Sequence, residues 1–249
     1  MSSEIAKLRE KVALSCRILG HQAVTKGSFG HVSARIPGTD QVLIKAKGPD
    51  EEALEFAAER DIITIRLDGS VVDAPEGLEP PRETAMHLAV FRARPEVMSV
   101  IHSHPEAVVV LTACEKPLVP MYGAYDGQAA LRLLEEGIPT YPRTLTIIDD
   151  ELGADFMRVM GDRRACLLRG HGMTTAGASV EDATIISLRV FELARLNYMA
   201  YAIGGPRPVP DLEDHRRRWS SGRGRQPRGG DVESSEWRYQ RKLLEAAGL

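Results

Sequence analysis

The chain has 249 residues, 43% of them hydrophobic and 27% charged, with a formal net charge of -3, an ordinary balance for a globular protein with a full core. That charge gives no overall attraction to nucleic acid, and no apolar run approaches the roughly 20 residues a bilayer requires, so neither nucleic acid nor membrane is an expected partner. Cys16, Cys114 and Cys166 are too few and too scattered for a disulfide framework and read as small core residues.

In chain order, the charged start Met1-Ser2-Ser3-Glu4-Ile5 lacks the apolar core of a signal peptide, and a cytoplasmic protein is expected. Ser3 to about Gly27 has the apolar stripe of an amphipathic helix, and the turn Lys26-Gly27-Ser28-Phe29-Gly30 ends it. Two β-hairpins follow, His31 to Ile36 with Gln41 to Ala46, and Ile62 to Ile65 with Val71-Val72 across Asp68-Gly69. Arg82 to Arg94 has helical periodicity and leads into the strand Ser99-Val100-Ile101-His102-Ser103. A helix then opens at Pro105, an allowed first-turn position.

Helical patterns also fit Gly127 to Glu136, Asp150 to Met160 and Val180 to about Ile203, with an apolar strand from Ala165 closing on Gly170-His171-Gly172. After Gly204-Gly205-Pro206 the composition turns to Pro, Arg, Gly and Ser, before a last helix from Glu236 to Ala247 bearing Trp237 and Tyr239. The basic stretch His215-Arg216-Arg217-Arg218 lies in this tail and reads as a solvated or subunit-contact arm. The expected fold class is α/β, a three-layer α/β/α sandwich around a mostly antiparallel central sheet. Residues 1–205 are expected to form the domain and 206–249 a partly helical C-terminal arm.

His102 and His104 are two residues apart at a strand end, so both point to one face and make half of a divalent-metal site. His171 is a third candidate, its flanking glycines permitting close approach of backbone or ligand. Three imidazoles with an open position would make a catalytic rather than a structural site.

The glycine turn before a hairpin, Glu83 in Pro80-Pro81-Arg82-Glu83-Thr84-Ala85-Met86-His87, then His102-Ser103-His104-Pro105 and His171-Gly172, together resemble the class II aldolase/adducin family over roughly residues 5–203. The resemblance implies an α/β/α sandwich, a homotetramer, and a divalent metal held by His102, His104 and His171 with Glu83 as acid/base group. Zinc is the first choice of ion and manganese the second, while cobalt and iron also accept imidazole. The ion would stabilise the enolate-like carbanion left when a carbon-carbon bond breaks, and a carboxyl tuned by burial would move its proton.

Family aldolases cradle a sugar phosphate with small hydroxyl-bearing turns. Here the aligned positions read Phe29-Gly30-His31, Lys47-Gly48 and Pro81-Arg82. Long cations suit a carboxylate, Arg bidentately, and His31 suits proton transfer. The segment from Pro37 to Pro49 resembles a decarboxylase branch of the family that acts on hydroxylated aromatic dicarboxylates such as dihydroxyphthalate. The expectation is therefore a carboxy-lyase in which Lys47, Gly48, Arg82 and Tyr125 bind the small-molecule substrate and Glu83 or His31 carries the proton. Tyr125 enters because its loop, in the family, approaches a neighbouring subunit's site. The alternatives are an aldolase acting on a sugar phosphate or hydroxy-keto acid, and an adducin-like interaction module without catalysis.

Overall fold

A computed structural model describes residues 2–49, 53–121, 127–218 and 234–249. Its central element is an eight-stranded sheet in the order β4-β3-β2-β1-β5-β8-β7-β6. The strands are β1 (His31–Arg35), β2 (Gln41–Lys45), β3 (Ile62–Arg66), β4 (Val71–Asp73), β5 (Ser99–Ser103), β6 (Thr140–Tyr141), β7 (Ala165–Leu168) and β8 (Gly172–Gly177). Each neighbouring pair is antiparallel except β6 with β7. Both expected hairpins form as read.

The helices are α1 (Ser2–His21), α2 (Thr84–Ala93), α3 (Glu106–Ala113), α4 (Gly127–Glu136), α5 (Asp150–Met160), α6 (Val180–Ala202), α7 (Leu212–Arg218) and α8 (Ser235–Ala247). They cover both faces. One core joins Val12 and Cys16 of α1, Leu111 of α3, Ile186 and Val190 of α6, and Trp237 and Leu244 of α8 to Val32, Leu43 and Ile101 of the sheet. The other joins Met86, Val90 and Phe91 of α2 and Phe156 and Met160 of α5 to Val42, Ile44 and Val100. Adjacent strand residues such as Val100 and Ile101 thus feed opposite cores, as period-two alternation requires. The protein is a three-layer α/β/α sandwich.

Several local expectations need correction. Helix α1 stops at His21, because Ala23 adopts a positive φ of 55° that breaks the helical path. Pro105 is the extended residue before α3 rather than its first turn. His171 does not end a strand: β7 closes at Leu168, and Arg169, Gly170 and His171 form a three-residue hairpin loop, with Gly170 at φ +63°. The returning strand β8, Gly172-Met173-Thr174-Thr175-Ala176-Gly177, is wholly buried and pairs with both β5 and β7. Cys16 and Cys166 are core residues whose thiols burial pushes up to about 12, whereas Cys114 is exposed.

Candidate metal and proton-transfer site

The site forms where β5, the β7–β8 loop and the start of α2 converge. On β5, Val100 and His102 share the sheet face covered by α2, which brings His102 under Glu83. Glu83 is the residue before the first turn of α2, yet its side chain makes no capping hydrogen bond. It is turned instead toward the imidazoles, with Oε2 3.2 Å from His102 Nε2 and Oε1 3.5 Å from His171 Nε2. His104 lies just past the strand end, its Nε2 2.7 Å from that of His102. One ligand atom from each of Glu83, His102, His104 and His171 lies within 4.8 Å of the other three.

The chemistry of these donors fits a cation. Nδ1 of His102 donates to the Met173 carbonyl at 3.0 Å, which fixes the tautomer and leaves Nε2 as an unprotonated acceptor, as for a metal-ligating histidine. That lone pair faces a carboxylate oxygen and a second imidazole nitrogen. Glu83 Oε1 is buried and lacks a conventional hydrogen bond. A proton on His104 Nε2 would satisfy the contact with His102, whereas a cation would satisfy the carboxylate and the imidazole nitrogens together. Burial opposes ionisation of Glu83, and in the absence of an ion it is protonated His102 and His171 that would outweigh burial and hold its carboxyl far below the usual range. Burial, reinforced by His102 and His171, pushes His104 down to about 3, so its imidazole is neutral at pH 7. The four residues could hold a metal ion.

Glycine is required where the strands meet. A Cβ on Gly172 would lie 2.3 Å from the Ser103 carbonyl oxygen, so only glycine lets the β7–β8 hairpin close against β5 and deliver His171.

Beside the cluster lies a cavity of about 330 Å³ lined by Phe29, His31, Lys45, Lys47, Arg82, Glu83, Thr146, His104 and His171 among others. His31 pairs with His102 across β1 and β5, and the two rings lie 5.2 Å apart. Burial, and then His87 and His102, keeps His31 well below the ordinary imidazole range. His87, one helical turn after Glu83, does not touch that carboxyl. It accepts or donates at His31 Nδ1, 2.8 Å away. Arg82 lines the cavity exposed, with no hydrogen bond or ion pair among the described residues. Lys47 also lines it but pairs with Glu79 at 3.1 Å.

Gly48 packs against the chain opposite, where a Cβ would meet the Gly77 carbonyl and a Leu78 methyl at 2.8 Å. It is absent from the cavity wall. Tyr125, with Tyr122, lies outside the described residues. The sequence reading missed Lys45, a buried cation at the end of β2 that lines the cavity, with Nζ donating to the Ala46 carbonyl at 2.7 Å. A lysine closing a strand as apolar as Gln41-Val42-Leu43-Ile44-Lys45 was the available signal.

Phe29 lies over His104, ring centroids 5.5 Å apart and 20° from parallel, and is 62% exposed. No helix among the described residues is long and apolar enough to cross a membrane.

The chain resembles known proteins over most of its length. It is 37% identical over 212 residues to a 3,4-dihydroxyphthalate decarboxylase of Arthrobacter keyseri, covering 84% of each chain. It is 36% identical over 217 residues to one from Terrabacter sp. (strain DBF63), covering 86% of this chain and 90% of the relative. Among solved structures, an aldolase II superfamily protein from Pseudomonas syringae superposes with a TM-score of 0.81 at 22% identity, over 98% of this chain and 94% of that one. Residues 10–198 match the Class II Aldolase and Adducin N-terminal domain, and with a sandwich of this topology and extended identity to its members, the chain belongs to that family.

Proposed function

We propose that the protein is a metal-dependent carboxy-lyase that removes a carboxyl group from a hydroxylated aromatic dicarboxylate of the dihydroxyphthalate type. One observation carries this reading: Arg82, with no ion pair among the described residues, opens into the same cavity as the cluster of Glu83 and three histidines. The named activity of the 37% and 36% identical relatives supports it.

In this reading His102, His104 and His171 hold a divalent ion, zinc in first place. Bound there, the ion would supply a Lewis acid that stabilises negative charge on the substrate as carbon dioxide leaves. Arg82 clamps a substrate carboxylate through its planar fork. Lys47, drawn from Glu79, and Lys45 add positive charge along the wall. Glu83 and His31 begin as proton acceptors. One of them takes the proton of a substrate hydroxyl and returns it to the ring carbon that has lost its carboxyl group.

Gly48 supports the cavity wall from behind through its packing on Gly77 and Leu78, and Tyr125 completes the proposed substrate contacts. Residues 1–205 form the catalytic unit. The 206–249 arm is anchored by Trp237 of α8, and the chain assembles as a homotetramer. A cytoplasmic location accords with this chemistry.

The alternative is an aldolase, favoured by the shared fold, since the same charge develops in aldol cleavage. Incubating the zinc-loaded protein separately with 3,4-dihydroxyphthalate and with a sugar phosphate distinguishes the two. Carbon dioxide release from the first and no cleavage of the second is expected, and the reverse pattern removes the decarboxylase reading.

A further inference from the structure

Behind His31 a polar chain runs into the apolar core between the sheet and α2. His31 Nδ1 lies 2.8 Å from His87 Nε2, and His87 Nδ1 lies 2.6 Å from Ser33 Oγ. Ser33 Oγ in turn donates to the Val100 carbonyl at 3.2 Å. Ser33 and His87 are fully buried, and His31 is 7% exposed. The backbone holds the chain in register, because Ser33 and Val100 face each other across β1 and β5, and Ser99 Oγ donates to the Ser33 carbonyl. Such a buried network persists only when each member finds a partner.

The Val100 carbonyl only accepts, and a serine carries one hydroxyl proton. With that proton on Val100, Ser33 receives a hydrogen bond from His87 Nδ1–H. His87 Nε2 is then a bare acceptor and takes the Nδ1–H of His31. In that order His31 carries its proton on Nδ1 and leaves Nε2 bare, on a ring that lines the cavity with Glu83 and Arg82, whereas a Ser33 proton placed on His87 Nδ1 would reverse the order and leave the proton on His31 Nε2.

We propose that Ser33 and His87 are positioning residues that lock His31 in the tautomer with a bare Nε2, making it the proton acceptor of the site. The proposal rests on the decarboxylase reading only for the consequence of the lock. In that reaction Nε2 takes the proton of a substrate hydroxyl. The bond to the carboxyl carbon then breaks, carbon dioxide leaves without the electron pair, and Nε2–H delivers its proton to that pair on the ring carbon. The phenolate left behind takes a proton from water. The opposite tautomer would begin with Nε2–H and could not accept the first proton.

The test is long-range proton-nitrogen NMR of the zinc-loaded full chain carrying 15N-histidine, with His31→Asn and H87Q used to assign signals. The expected wild-type spectrum shows protonated Nδ1 and bare Nε2 on both His31 and His87. S33A should show mixed tautomers at both rings, and S33T should restore one. With 3,4-dihydroxyphthalate, S33A and H87Q should each lower kcat by about 10–100-fold at nearly unchanged KM. Neither should lower it further when His31 is already Asn, because both act through that ring. A protonated Nε2 on wild-type His31, an unaltered single tautomer in S33A, or full additivity with His31→Asn would overturn the proposal. A single Nε2-bare tautomer in a protein that releases no carbon dioxide would remove the reaction while leaving the lock in place.

Discussion

At the residue scale, the same side-chain types take different roles through their surroundings. Lys47 and Arg82 both reach the cavity wall, but Lys47 is compensated by Glu79 while Arg82 has no partner among the described residues. Arg82→Ala should therefore raise KM for 3,4-dihydroxyphthalate by about 10–100-fold, the worth of a charge-assisted hydrogen-bond pair. Arg82→Lys should recover little of it, because a point charge does not reproduce the fork. Steady-state kinetics would show this directly.

His87 makes a second residue-scale prediction. Burial, then the neighbouring His102, pushes its pKa down to about 3, against about 6.5 in an unfolded chain. Between those values the unfolded state binds the extra proton, so stability rises with pH. The contribution is complete above pH 6.5 and is lost as pH falls toward 3. Urea unfolding at pH 7 and pH 5 should differ by about 2 kcal/mol from this group, a difference H87Q should remove.

At the element scale, the hairpins, the helix stripes and the His-x-His strand end were all legible, because each has a local period or a turn signal. Strand β8 was not. Thr174, Thr175 and the glycines at its ends give no alternation, because both faces of the strand are buried, and its register comes from β5 and β7. Strand β6 is only Thr140–Tyr141 and takes its place from parallel pairing with β7.

The four-residue cluster was legible as residue types, but its closure was not. That closure depends on the Gly172 contact with Ser103 and on an uncapped Glu83 turned inward. The partner of His87 was equally hidden, since His31 is 56 residues distant in sequence. Gly172→Ala should force β8 away from β5 at a cost of roughly 1–3 kcal/mol. Equilibrium unfolding would measure the loss, and metal titration should show weakened binding as His171 is displaced.

At the scale of the whole molecule, the site sits at the C-terminal end of the central strand β5, in a sheet whose two cores are both sealed by helices remote in sequence. Helix α8, separated from α6 by more than 30 residues, inserts Trp237 and Leu244 into the core shared by α1 and α6. Trp237 is 2% exposed, while Tyr239 on the same helix is 59% exposed, so Trp237 is the anchor and Tyr239 is exposed among the described residues. Trp237→Ala should cost about 3–5 kcal/mol in urea or thermal unfolding, whereas Tyr239→Ala should be nearly silent in the same measurement.

On the proposed reading, a divalent ion on His102, His104 and His171 drives loss of carbon dioxide from a hydroxylated aromatic dicarboxylate. The most direct test of that reading is carbon dioxide release from 3,4-dihydroxyphthalate by the purified chain before chelation, after chelation and after adding back zinc or manganese. Release that disappears with the metal and returns with it, while His171→Ala both binds the ion more weakly and stays inactive, is the predicted result. Undiminished release from the fully metal-free protein, or none from protein carrying one ion per chain, would contradict it.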